Sequence, residues 1–258
     1  MKIVVFKGGI GNQLFQYCLI DYLSRKGYRV YFRDETLGHN GLEIHKYFDV
    51  KLKRLPRIWD YIYRKIKEKY PSIFNCLSTL DDVYDESKIR FDGYWQDKDY
   101  MSPELDITFK KLPLNERNKE ILDKIQSTNS VSIHVRRGDY LKYLEIYGGI
   151  CTAEYYTKAL AIIKERIATP TFYVFSDDIE WCRENMNITN AEYIDWNKGN
   201  DSIYDMYLMS KCKANIIANS TFSFWGAIIA DNDIVIYPKK WFANKKSPDL
   251  FKKTWLGI

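Results

Sequence analysis

The feature that most restricts how this chain folds is a succession of short apolar strands and helices that begins at residue 131. Val131, Ile133 and Val135 alternate with Ser132, His134 and Arg136, the period-two pattern of a strand. A helix over 152–167 follows, then a strand over 171–175, a short helix with Trp181, a strand near Tyr193 and a helix over 202–211. A strand over 215–218, a helix to Ala230 and a last strand over 233–237 complete the series. Strands separated by helices at this spacing pair in parallel, so the expected class is α/β with a doubly wound sheet. Right-handed crossovers place all the strand C-termini on one rim, which is where ligands of such sheets bind.

The N-terminus repeats the theme. KIVVFK reads as a buried strand, and Gly8-Gly9-Ile10-Gly11-Asn12-Gln13 opens a helix with Leu14, Phe15, Cys18, Leu19, Tyr22 and Leu23 at helical spacing. A strand over 28–32 completes a Rossmann-like start. As a dinucleotide fingerprint it is defective: Leu14 stands where the third glycine belongs, and no acidic ribose partner follows. Asn12 and Gln13 are then either ligand contacts above the strand ends or an N-cap and first-turn polar pair. Residues 33–55 read as loop. Residues 56–70 read as a basic helix with Ile58, Trp59, Ile62 and Ile66 on one face, either solvated or lying on an anionic membrane. Residues 89–96 read as a strand presenting Tyr94, Trp95 and Gln96, a sugar platform or a core plug. The expected division is 1–113 and 114–258, with the C-terminal tail free to pack back on the first domain.

Three polar clusters fall on the rim of the second domain: His134–Asp139, Ser176–Asp178 and Asn219–Ser223. Arg136 and Arg137 suit a phosphate, since the guanidinium fork donates paired bonds and stays charged; a structural Arg–Asp pair is the alternative. Hydroxyls at the helix start after Asn219 make an anion site or a plain N-cap. The net charge of +5 and pI near 8.7 fall short of a nucleic-acid module, and no nucleic-acid partner is expected. Five scattered cysteines without a C-x-x-C pair argue against a zinc site and a disulfide framework, and for a reducing compartment. A strand starting right after Met1-Lys2 and the lack of a long apolar run give a cytoplasmic expectation, with peripheral contact at the inner membrane face left to the basic helix.

Five motifs occur in order: GGIGNQLFQY at 8–17, GYWQ at 93–96, HVRRGDY at 134–140, FSDD at 175–178 with Trp181 beyond it, and NSTFSFWGA at 219–227. Together they resemble the α-1,2-fucosyltransferases of glycosyltransferase family 11. The resemblance implies a GT-B-like fold of two Rossmann-like domains facing a cleft, GDP-fucose as donor, inversion, and no metal or other cofactor. A terminal galactose on an oligosaccharide or lipid-linked glycan is the implied acceptor, in surface polysaccharide or O-antigen synthesis. Arg136 would grip the diphosphate with Arg137 in support, and His134 would lie beside the nucleotide. Ser220, Thr221 and Ser223 would surround the phosphates, with Asn219 and Phe222 also among the donor-binding residues and Asp177 or Asp178 as a nucleotide contact. Asn12 would face the donor–acceptor junction, with Gly11 and Gln13 beside it among the donor-binding residues. The acceptor proton needs a base, for which Asp139 is the first candidate and Glu145 the second, although Asp139 serves equally well to orient an arginine. Asp97-Lys98-Asp99 and Asp231-Asn232-Asp233 match a D-x-D metal pattern and are read as chance, since neither follows a nucleotide-binding strand. The chain is short for the family through trimmed loops over 33–92, so acceptor choice is the least transferable implication. The rival readings are another GDP-sugar transferase and a non-catalytic carbohydrate-binding protein.

Overall fold

The computed structural model describes residues 1–38 and 40–258. The chain divides into two units, Met1–Lys110 and Lys111–Ile258.

The first unit is built on β1 (Lys2–Phe6), whose five residues are all buried. Parallel strands buried on both faces read as unbroken apolar runs, which is why KIVVF shows no alternation. Around it lie β2 (Val30–Asp34), β3 (Ser78–Leu80) and β4 (Arg90–Asp92), in the order β2-β1-β4-β3 and all parallel. The helix Ile10–Arg25 buries Leu14, Phe15, Cys18, Leu19 and Leu23. Gly27, at φ +85°, ends it by donating its N–H to the Ser24 carbonyl. Within the stretch expected to be loop, a short helix Ile44–Tyr47 forms. The basic helix spans Arg57–Lys69, and Pro71–Leu77 forms another directly after it.

The second unit carries six parallel strands: β5 (Ser130–Val135), β6 (Thr171–Ser176), β7 (Ala191–Ile194), β8 (Ala214–Ile216), β9 (Val235–Tyr237) and β10 (Leu256–Gly257). Their order is β10-β9-β8-β5-β6-β7. Chain order reverses between β5 and β8, so the topological switch point lies at the C-terminal ends of these two strands. The helices Ala153–Arg166, Ile179–Asn185, Ile203–Met209 and Thr221–Ala230 make the crossovers. The C-terminal tail belongs to the second sheet, where Leu256 pairs with Ile236 and Gly257 with Tyr237. The reason is aromatic: Phe251 stacks on Tyr237 at 3.7 Å, and Trp255 lies 5.9 Å from Phe224, so the last turn is tied to β9 before the strand begins. No helix among the described residues is long and apolar enough to cross a membrane.

Candidate active site

At the switch point of the second sheet, β5 stops at Val135 and the chain turns outward through Arg136, Arg137 and Gly138. Gly138 is required there by space, since a Cβ on it would stand 2.7 Å from Asp177 Oδ2. That close approach lets the end of β6 serve both arginines. Arg136 Nη1 lies 3.0 Å from Asp177 Oδ2, and its Nη2 lies 2.9 Å from Asp139 Oδ1. The Arg137 backbone N–H donates to Asp177 Oδ1 at 2.9 Å, and its Nε donates to Asp178 Oδ2 at 3.0 Å. The Arg137 guanidinium also lies 4.1 Å from the centre of the Trp181 ring. Burial works against the charge on Arg136, but Asp177 and Asp139 outweigh it and hold its pKa above the ordinary value.

The end of β8 joins the same rim through two contacts. Tyr140 OH donates to the Asn219 carbonyl at 2.9 Å, and the His134 ring lies 5.6 Å from the Phe222 ring. Burial first, and the Arg136 charge second, push the His134 pKa down to about 3, so the imidazole beneath the rim is neutral. Its Nδ1 is buried without a hydrogen-bond partner. Ser220 caps the helix Thr221–Ala230 by accepting the Phe222 N–H at 3.3 Å. A cap followed by a ten-residue helix directs the positive dipole end and its free N–H groups at the rim. The Asn219 side chain is spent inside the fold: it donates to the Trp241 carbonyl at 3.1 Å and accepts the Cys151 thiol at 3.4 Å. Ser223 is buried and donates back to the Ser220 carbonyl at 3.3 Å. Thr221 and Phe222 are half-exposed at the helix start.

In the first unit, two of the sequence motifs meet at the C-terminal ends of β1 and β4. Gln96 Nε2 donates to Asn12 Oδ1 at 3.0 Å, and Gln16 Nε2 donates to the Gly93 carbonyl at 3.0 Å. Gly8 turns at φ +74°, where a Cβ would meet Asn12 Nδ2 at 2.7 Å. Gln13 is fully buried and has no atom left for a ligand. Its Nε2 donates to the Gly8 and Gly41 carbonyls, and its Oε1 accepts the N–H groups of Glu43 and Ile44, at 2.9–3.1 Å. A primary amide has two donors and two acceptor sites, and all four are used. Gly11 is likewise buried in the first helical turn. The aromatic pair divides between its two readings. Trp95 is core, held at φ +56° with its N–H on Asp82 Oδ1, while Tyr94 stays exposed beside Lys7, 5.1 Å from its ring.

The family profile described as "Glycosyl transferase family 11" matches residues 54–258. The chain belongs to this family. An Escherichia coli protein named "Alpha-1,2-colitosyltransferase" is 34% identical across 100% of this chain and 99% of its own length. The mouse "Galactoside alpha-(1,2)-fucosyltransferase 2" is 26% identical across 97% of this chain and 76% of its own length. Among solved structures, the "NodZ alpha-1,6-fucosyltransferase soaked with GDP-fucose" matches at a TM-score of 0.52 and 13% identity, covering 95% of this chain and 97% of that one. The family 9 glycosyltransferase of Veillonella parvula matches at 0.50 and 10% identity, covering 99% and 86%. These likenesses show the fold, a GT-B-like pair of Rossmann-like domains.

In this family 11 glycosyltransferase, Arg136, Arg137, Asp139, Asp177 and Asp178 form one ion-pair cluster, with His134 and the Ser220 cap on the same rim. Glu145 stands apart from the ion pairs, exposed on the short helix Leu144–Tyr147. Sequence reasoning overlooked Gln16, a polar residue at an apolar helical position, which was the available signal. It also overlooked Tyr140 as the tie between β5 and β8. Asp97 caps the turn Lys98–Tyr100, and Asp231 pairs with Lys252. Among the described residues, no group of three His, Cys, Asp or Glu could hold a metal ion.

Proposed function

We propose that this glycosyltransferase moves L-fucose from GDP-β-L-fucose to the 2-hydroxyl of a terminal galactose, inverting the anomeric carbon to give an α-1,2 linkage. The observation that carries the reading is the rim of the second unit, where a guanidinium fork and a capped helix start share one switch point. As the glycosidic bond breaks, negative charge builds on the departing diphosphate. Arg136 answers it with two Nη donors, and the N–H groups at the start of Thr221–Ala230 answer it with a fixed dipole. Arg137, clamped by Asp178 and Trp181, supports the nucleotide. Neutral His134 gives a polar floor without adding charge. Asn12, fixed by Gln96, and exposed Tyr94 offer the first unit's rim to the acceptor. Asp139 and Glu145 remain the two carboxylates for the acceptor proton; its ion pair gives Asp139 the further task of aiming Arg136.

The galactoside comes from the name of the mouse relative, and the α-1,2 linkage from that name and from the E. coli relative's. The 34% identical E. coli relative favours a second reading, in which colitose is the sugar transferred. A donor panel of GDP-fucose, activated colitose, GDP-mannose and UDP-galactose, run on a galactose-terminated acceptor with the product linkage determined, separates them. Turnover confined to GDP-fucose supports the proposal, and turnover confined to colitose replaces it. The positive groups of the rim do the work of a cation, so activity is expected to survive excess EDTA. Loss restored by Mn²⁺ would overturn that part. The product is expected to be α only; a β-linked product by NMR excludes inversion.

A further inference from the structure

The helix Arg57–Lys69 sits on the first unit by its polar side. Tyr63 is its one buried residue, with its ring 5.4 Å from that of Phe74 and the guanidinium groups of Arg33 and Arg90 5.0 and 5.4 Å away. Asp60, on the same side, pairs with Arg33 at 2.6 Å and with Arg64 at 3.0 Å. The apolar residues face outward: Ile58 is 62% exposed, Tyr61 55%, Trp59 49% and Ile62 37%. At 3.6 residues per turn, positions 58, 61, 62, 65 and 69 share one stripe, so Lys65 and Lys69 rise from the same surface as the isoleucines. Tyr70 and Ile73 extend it, 47% and 50% exposed. A helix packed for water alone would turn these apolar groups inward.

Charge concentrates at the same place. Residues 51–69 hold eight basic and two acidic side chains, a net of +6, against +5 for the whole chain. The other residues are therefore slightly negative in sum, and this stretch is a positive island. Apolar side chains interleaved with lysines of one sign match a surface that is apolar within and anionic at its face, which is a bilayer with acidic headgroups. Lysine stems can lie along the apolar layer while their ammonium groups stay at the phosphates.

We propose that Arg57–Lys69 docks the first unit on anionic lipid, with Ile58, Trp59, Tyr61 and Ile62 entering the headgroup–acyl boundary and Arg57, Arg64, Lys65 and Lys69 meeting lipid phosphates. This assignment is independent of which sugar is transferred. A carrier-linked or membrane-borne acceptor would then be met in two dimensions.

The test is flotation of the full chain with phosphatidylethanolamine vesicles made with and without phosphatidylglycerol. Binding is expected only with phosphatidylglycerol, and is expected to fall as salt screens the lysines. Lys65→Glu with Lys69→Glu should weaken it on the order of tenfold or more, at about 1 kcal/mol for each basic side chain. Ile58→Ser with Ile62→Ser should abolish the blue shift of Trp59 fluorescence, read as the difference from Trp59→Phe. All these positions are exposed, so melting temperature and turnover on a soluble acceptor should stay unchanged. Absence of binding to phosphatidylglycerol vesicles, or equal binding by the charge-reversed variant, overturns the proposal. So does a dimer of the native chain that the Ile58→Ser/Ile62→Ser variant splits while vesicle binding persists, because the face is then an interface between copies.

Discussion

Arg136 holds two carboxylates at once, and its replacement separates chemistry from structure. Lysine keeps a charge but loses the fork. Removing a preorganised donor of this kind costs about 2.7–4 kcal/mol in the transition state, so Arg136→Lys is expected to lose on the order of a hundred- to a thousandfold in turnover. Its melting temperature should stay near the native one, and Arg136→Ala should also weaken GDP binding in titration calorimetry. Normal turnover in folded Arg136→Ala would remove the centre of the reading. Gln13 is expected to behave in the opposite way. Gln13→Ala leaves two buried N–H groups and two half-buried carbonyls without its bonds, which costs about 2 kcal/mol, read in denaturant unfolding. The KM for the donor should not move in the protein that remains folded. A raised KM without loss of stability would return Gln13 to the ligand.

The elements whose burial is complete were the most legible in the sequence. β1 and β5 announce themselves because both faces are covered or the alternation is strict, and each ends just before its polar motif, at Phe6 and Val135. Shorter pieces left no period to read: β3 is three residues directly behind the helix Pro71–Leu77, and β10 is two residues anchored by the rings of Phe251 and Trp255. Amides were the hardest to judge. Asn12, Gln13 and Gln16 sit within five positions of one helix, yet only the folded chain tells which of them is spent on backbone. A buried carboxylate behind the second sheet was equally silent. Asp205, in the helix Ile203–Met209, accepts from Asn197 Nδ2 at 2.8 Å, and Asn197 in turn bonds Asn118 of the helix Glu116–Ser127. Burial raises the Asp205 pKa to about 8, with Asn197 opposing. The unfolded value is near 3.9. Between the two, the folded chain keeps a proton that the unfolded chain releases, so stability is full at low pH and falls as pH climbs towards 8. The melting temperature is therefore expected to drop from pH 5 to pH 8.5, and Asp205→Asn should flatten that drop. An equal slope in both proteins would show that another group titrates.

For the molecule as a whole, the parallel order of the strands governs how the chain finds its fold. Every pair of strands among the described residues runs parallel, so no two neighbours in a sheet are joined by a tight turn. Val131 must find Phe172 across two α-helices, and Ala214 across four. Each pairing closes a long loop before it gains a contact, which makes such sheets slow to assemble. Unpaired strand edges stay open for the length of that search, and open edges recruit one another. Refolding from denaturant should accordingly lose active protein as concentration rises, with recovery governed by dilution. If recovery proves independent of concentration, the edges are being covered faster than two chains can meet.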